Sequence, residues 1–169
     1  MFGQYKSFPT NPQRIAYYTS TLSPKKLQQA LAETCHKLNT ETLTPEQLDT
    51  PAIHQCTINF EFGIAETNNF NYLDQKETHR LLQTINKQPL QKMDFLCITR
   101  YHKNNQQKPK PLKFDYQMLR FTFDKNLIEI QAYHEKGPMH IMTDEIINLL
   151  ITRINDMFPR KALKPIETV

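Results

Sequence analysis

Only three glycines occur in the 169 residues, Gly3, Gly63 and Gly137, and they stand far apart. Glycines so scattered build neither a phosphate-cradling P-loop nor a dinucleotide fingerprint, and no G-x-S-x-G is present. Those motif-defined enzyme classes are excluded, although enzymes without such signatures are not. Serine is equally scarce, with three residues. No run of about 18 apolar residues exists, so no membrane-spanning helix is expected. The N-terminal Met1-Phe2-Gly3-Gln4-Tyr5-Lys6 lacks the apolar stretch of a signal peptide, which leads to the expectation of a cytoplasmic protein. The three cysteines, Cys35, Cys56 and Cys97, are odd in number, widely spaced and without a CxxC. A disulfide framework is therefore not expected, and reduced thiols suit a reducing compartment.

What is present is enough to build a core: 38% of residues are hydrophobic and 10% aromatic. The length fits one domain over residues 1–169, since a split would leave each half short of core. Residues 1–22, with Pro9 and Pro12, read as an irregular arm ending in a short strand and pinned by its aromatics. Ser23-Pro24 starts a first helix, whose stripe includes Leu27, Leu31 and Leu38 and ends near Asn39. Thr44-Pro45-Glu46-Gln47 signals a further turn or two.

The clearest strand runs from His54 to Glu66. His54, Cys56, Ile58, Phe60, Phe62 and Ile64 alternate with polar neighbours, as one buried and one wet face of an antiparallel sheet require. Asn68-Asn69-Phe70-Asn71 reads as a turn. Asp74 then begins a second helix that ends by Lys87 and Pro89. Three strands follow, Met93 to His102, Leu112 to Phe123 and Leu127 to His134, with a hairpin turn at Asp124-Lys125-Asn126. In the second of these, apolar residues change phase between Met118 and Leu119, which means either two covered faces or a bulge near Met118. Thr143 caps a last helix that Pro159 stops, and the basic tail over 159–169 reads as mobile. The expected fold is a two-layer α+β domain. A mainly antiparallel sheet of about four strands packs against about three helices, in the order α-β-α-β-β-β-α.

Charge is unevenly spread. From Glu33 to Glu77 eight acids face two lysines, a balance of −6, and from Lys87 to Lys125 nine bases face three acids, a balance of +6. Such asymmetry steers an acidic partner, joins the two segments to each other, or simply solvates the surface.

Candidates for chemistry are few. Six histidines show no recognised zinc spacing; Cys56 reads as core and His54 as its edge, so no metal and no cofactor are expected. All three thiols fall on apolar faces, where cysteine behaves as a small hydrophobe, and Glu61 and Glu66 point apart, so no catalytic residue is assigned. The polar turn containing His134, Glu135, Lys136 and His140 is a secondary candidate loop, with Gly137 read chiefly as a turn residue before Pro138. The most suggestive stretch mixes bases and rings: Arg100, Tyr101, His102, Lys103, Lys108, Lys110, Lys113, Phe114, Tyr116 and Arg120. Lysines neutralise phosphates and rings on a sheet stack unpaired bases, so the leading expectation is a non-enzymatic domain binding single-stranded or exposed-base nucleic acid. The alternatives are a protein-interaction module (adaptor, secretion chaperone or effector) with an acidic partner, and an enzyme without a recognisable motif. Against the leading reading stands a plain solvated hairpin loop with core aromatics behind it.

Overall fold

The computed structural model describes residues 2–48, 56–103 and 111–167, with only the backbone described at 103 and 111–113. His54, Lys108 and Lys110 lie outside the described residues. Among the described residues there are eight strands and three α-helices, which corrects the expected sheet of about four strands and its order. The order is β1 (Gly3–Gln4), β2 (Arg14–Ser20), α1 (Pro24–Asn39), a 3-10 turn (Pro45–Leu48), β3 (Cys56–Glu66), β4 (Asn69–Tyr72), α2 (Gln75–Lys87), β5 (Lys92–Lys103), β6 (Pro111–Asp124), β7 (Leu127–Lys136), α3 (Thr143–Asp156) and β8 (Leu163–Pro165). The strands form one antiparallel sheet in the spatial order β1-β4-β3-β5-β6-β7-β2-β8.

The added strands come from segments with weak local signals. β4 begins inside the expected asparagine turn, because the chain reverses one residue earlier, at Thr67, which takes a positive φ of 56°. β8 lies in the expected mobile tail, where Ala162 and Leu163 are in fact buried. Its free edge is closed by Asn155, whose Oδ1 accepts from Leu163 N at 2.8 Å and whose Nδ2 donates to Leu163 O at 3.0 Å. A short edge strand with its free backbone groups already bonded resists pairing with another chain.

Helix starts follow side-chain caps. Ser23 Oγ accepts from Lys26 N at 3.2 Å with Pro24 in the first turn, and Asp74 Oδ1 accepts from Glu77 N at 2.8 Å. The third start shifts by one residue: Met142, not Thr143, is the cap, and Glu145 accepts from the Met142 amide at 3.2 Å.

The helices cover one face of the sheet. There Ile58, Phe60 and Phe62 of β3, Phe95 of β5, Phe121 of β6 and Ile130 of β7 pack with Leu31 of α1, Ile85 of α2 and Leu150 of α3. Burying each such side chain contributes about 1.5–3 kcal/mol. The opposite face carries a second cluster, with Phe70, Leu96, Ile98 and Met118 lying under Phe2, Tyr5 and Phe8 of the N-terminal arm. Both sides of β6 are thus covered along part of its length, which explains the phase change. A register shift also falls near Met118, between Tyr116 and Gln117 against β7, and another separates Tyr101 from His102 where β5 pairs β6. Among the described residues no helix is long and apolar enough to cross a membrane.

Candidate functional site at the open end of the outer sheet face

The arm roofs only one end of the outer face. At the other end, side chains of one parity project from three neighbouring strands. Ladder pairing sets Arg100 of β5 opposite Phe114 of β6, and Lys136 of β7 opposite Tyr116 of β6. Each cation lies over its ring, Arg100 at 4.5 Å from the Phe114 centroid and Lys136 at 4.3 Å from that of Tyr116. Such contacts are worth about 0.5–1 kcal/mol at exposed sites, and they hold the cations in place. Phe114, Tyr116 and His102 are half-buried, and Lys136 is exposed. The two rings are alternate residues on β6, about 6.8 Å apart along the strand.

Arg100 is not a free cation. It forks onto Glu61 of β3, with Nε donating to Oε1 and Nη2 to Oε2 at 3.4 Å. This ion pair joins the basic stretch of the sequence to the acidic one. Arg120 belongs elsewhere: Nε donates to Asp94 Oδ1 at 2.7 Å and Nη2 to Asp94 Oδ2 at 2.9 Å. Its guanidinium lies 4.7 Å from the Phe8 centroid, and Tyr5 donates to the same Asp94. Burial and the Asp94 carboxylate push the Tyr5 hydroxyl above the ordinary tyrosine range. Arg120 is therefore enclosed by the arm rather than part of the open patch.

Tyr101 is the clear correction. It has the opposite parity to Arg100 and His102, points to the helix side and has no exposed surface. Its hydroxyl donates to Asp115 Oδ2 and accepts from Ile141 N at 3.1 Å. Burial first, then the Asp115 carboxylate, drives its pKa far above the ordinary tyrosine value. Asp115, a residue that sequence reasoning passed over, also contacts His134 Nε2 at 2.9 Å and accepts from Met139 N at 2.7 Å. A histidine beside a buried carboxylate has the make-up of an acid/base dyad. Here the loop after β7 occupies the space in front of it. Gly137, with φ at +117°, backs so closely onto Asp115 that a Cβ would stand 2.3 Å from Oδ1. Gly137 thus serves close backbone packing as well as the turn. His140 is exposed and meets the Tyr101 ring edge-on at 5.1 Å.

Of the ten residues in the primary expectation, the fold brings Arg100, His102, Phe114 and Tyr116 together and adds Lys136 from the secondary loop. It separates Tyr101 and Arg120 from them. Lys103 and Lys113 flank the patch in the backbone ladder, whereas Lys108 and Lys110 lie outside the described residues. Glu135, exposed, is the extra residue where β7 slips against β6, and it stands between His134 on the helix side and Lys136 on the open side. The signal for Lys136 was long-range pairing, which alternation within one strand does not carry.

Burial pushes the Cys35 and Cys97 thiols well above the ordinary range, and all three cysteines are buried and free. Thiols so protonated are poor nucleophiles. Among the described residues no group of three or more His, Cys, Asp or Glu side chains is arranged to hold a metal ion. Comparison with protein-family models, with curated proteins and with solved structures finds no significant match to the chain.

Proposed function

We propose that the protein binds single-stranded nucleic acid across the open end of the outer sheet face. The observation that carries this reading is the pair of alternate rings, Phe114 and Tyr116, each set beside a cation on a face that, among the described residues, no helix covers. Successive unpaired bases stack on such rings irrespective of sequence, and the cations meet the phosphates. The Lys136 ammonium is the more available of the two, because Glu61 shares Arg100.

Fluorescence polarisation with a labelled oligo-dT and an oligo-U of the same length, titrated at several salt concentrations, tests the reading. Affinity should fall steeply with salt, and Lys136→Gln, which leaves one phosphate unneutralised, should flatten the log–log slope by about 0.7. Tyr116→Leu keeps the apolar cover of the sheet but removes the stackable ring, and should weaken binding by about 1–3 kcal/mol. Absence of binding to either strand at low salt, or binding that neither salt nor these two substitutions alter, overturns the proposal.

A further inference from the structure

At the far edge of the sheet a groove of about 960 Å³ runs between α3 and the strands β2 and β8. Small-molecule sites span roughly 300–1,000 Å³, so this one stands at the upper end and admits a length of chain. One wall is the face of α3 formed by Asn148, Ile151, Thr152 and Asn155, which recur at three- and four-residue steps. The other comes from the segment between Phe158 and Pro165. That segment is fixed. Asn155 bonds both backbone groups of Leu163, Thr21 N donates to Ala162 O at 2.9 Å, and Ile166 N donates to Tyr17 O at 2.9 Å.

Four cations and one carboxylate line the groove, Arg14, Arg160, Lys161 and Lys164 against Asp156. Arg14 is answered by Asp144, its Nε donating to Oδ1 at 2.6 Å. Arg160, Lys161 and Lys164 are exposed, and none has an ionic partner among the described residues. With Asp144 counted beside the lining, a surplus of two positive charges remains. Glu167, the next acid along the chain, is not part of the lining. Between the charges lie surfaces that a ligand can reach: Pro159 and Pro165 are exposed and Phe158 is half-buried. Asn148 and Thr152 are exposed too, and their side chains hold no hydrogen bond among the described residues.

The surplus charge repels a cationic ligand, and the arrangement of the groups selects among anions. A compact phosphate is best held by donors that converge on one point, whereas these cations are spread over the five residues from Arg160 to Lys164. A nucleic-acid strand draws sequence-tolerant affinity from rings on which its bases stack. The rings of this lining are Tyr18, which is buried, and Phe158, which is half-buried. An extended acidic peptide uses every part of the groove. Its carboxylates meet the three cations, its backbone amides meet Asn148 and Thr152, and its apolar side chains lie on Phe158, Pro159 and Pro165. We infer that the groove between α3 and β8 docks an extended acidic segment of a partner protein, its carboxylates held by Arg160, Lys161 and Lys164. This goes beyond the nucleic-acid reading and stands without it, since the two sites share no residue.

Fluorescence polarisation of the full chain with a labelled octapeptide of alternating glutamate and leucine, and with its lysine–leucine counterpart, tests the inference. The acidic peptide should bind and lose affinity as salt is raised, and the basic one should bind at least tenfold more weakly. Lys161→Gln combined with Lys164→Gln, both at exposed positions, should weaken the acidic peptide at least tenfold. Thr152→Trp, at an exposed position on the α3 wall, should obstruct the groove and abolish the change in polarisation. Oligo-dT should not displace the peptide, and Lys136→Gln should leave the peptide affinity unaltered, so the two proposals fail separately. No binding of the acidic peptide at low salt, equal binding of the basic one, an affinity unchanged in the double lysine variant, binding that survives Thr152→Trp, or displacement by oligo-dT overturns the assignment.

Discussion

Asp115 has no exposed surface, yet three groups converge on its carboxylate: the Tyr101 hydroxyl, His134 Nε2 and the Met139 amide. A buried carboxylate is tolerable only with such partners, because an unanswered one loses its hydration without compensation. The partners lie on both sides of the loop after β7, so the carboxylate works as a clamp on that loop. Gly137 is the residue the clamp cannot do without. At φ +117° an L side chain is strained, and a Cβ would stand 2.4 Å from Phe114 O and 2.8 Å from Asp115 Cα. Backbone strain costs about 1–3 kcal/mol and overpacking about as much again. Gly137→Ala should therefore lower stability by about 2–4 kcal/mol in urea unfolding, with an unchanged m-value; a decrease under about 0.5 kcal/mol would show that the loop yields instead. The clamp was legible in part. Within Phe114-Asp115-Tyr116-Gln117, Asp115 and Gln117 share the parity of Leu119 and Phe121, and polar groups at core parity announce a buried network. Strand parity likewise separates Tyr101 from Arg100 and His102. What parity does not supply is the loop that closes over the carboxylate, because that contact joins residues 24 apart.

At the scale of elements, α1 and α3 are tied where α1 gives way to the 3-10 turn. Arg153 Nη1 donates to Glu41 Oε1 at 2.9 Å and Nη2 to Oε2 at 2.7 Å, a two-pronged pair with both side chains about one-quarter exposed. The Arg153 hydrogen bonds hold the Glu41 carboxyl below its ordinary value. A depressed carboxyl pKa stabilises the fold above the unfolded value of about 4.3 and loses that contribution as pH falls through the folded value. Glu41→Gln should thus reduce stability by up to about 1 kcal/mol at pH 7. The difference from wild type should shrink as the pH falls below the unfolded value of about 4.3 and vanish only below the depressed folded value. Denaturant melts at pH 7 and over a descending acid series check this, and a difference that does not shrink with acidification would assign the effect to packing. Elements with strong internal patterns were readable: β3 by alternation, the β6–β7 hairpin by Asp124-Lys125-Asn126, and α1 and α2 by their caps. The short strands were not. β1 has two residues, β8 has three with Pro165 among them, and β4 is mostly asparagine and tyrosine. Each exists because a longer neighbour offers an unpaired edge, and that edge is set by the topology rather than by the short segment's own propensity.

For the whole molecule, the arm decides how much of the outer sheet face is open. Its backbone hold is slight: β1 pairs only Gly3 with Phe70 and Gln4 with Asn69, and Tyr5 N adds one bond to Asn68 O at 2.9 Å. Side chains do the rest. Phe2 rests on Gly63, where a Cβ would stand 2.4 Å from the ring; Tyr5 meets Phe70 edge-on at 5.0 Å; Phe8 is buried under Arg120. Two or three backbone bonds hardly offset the entropy of ordering the seven residues from Phe2 to Phe8 at about 1–2 kcal/mol each, so the rings must supply the difference. Phe8→Ala should then lower global stability by about 1.5–3 kcal/mol and free the arm before the sheet unfolds. Trypsin under native conditions reads the second effect, because Lys6 is exposed and sits between the two anchors Tyr5 and Phe8. Cleavage after Lys6 should become faster in Phe8→Ala, while cleavage within the sheet should rise only in step with the decrease in global stability. Equal rates at Lys6 in the two proteins would mean that Tyr5 and its bond to Asp94 hold the arm unaided. A freed arm would also uncover Leu96 and Met118, extending the open face toward the Asp94–Arg120 pair. Oligo-dT binding in Phe8→Ala should then be at least as tight as in wild type, since the substitution leaves Phe114, Tyr116 and Lys136 in place.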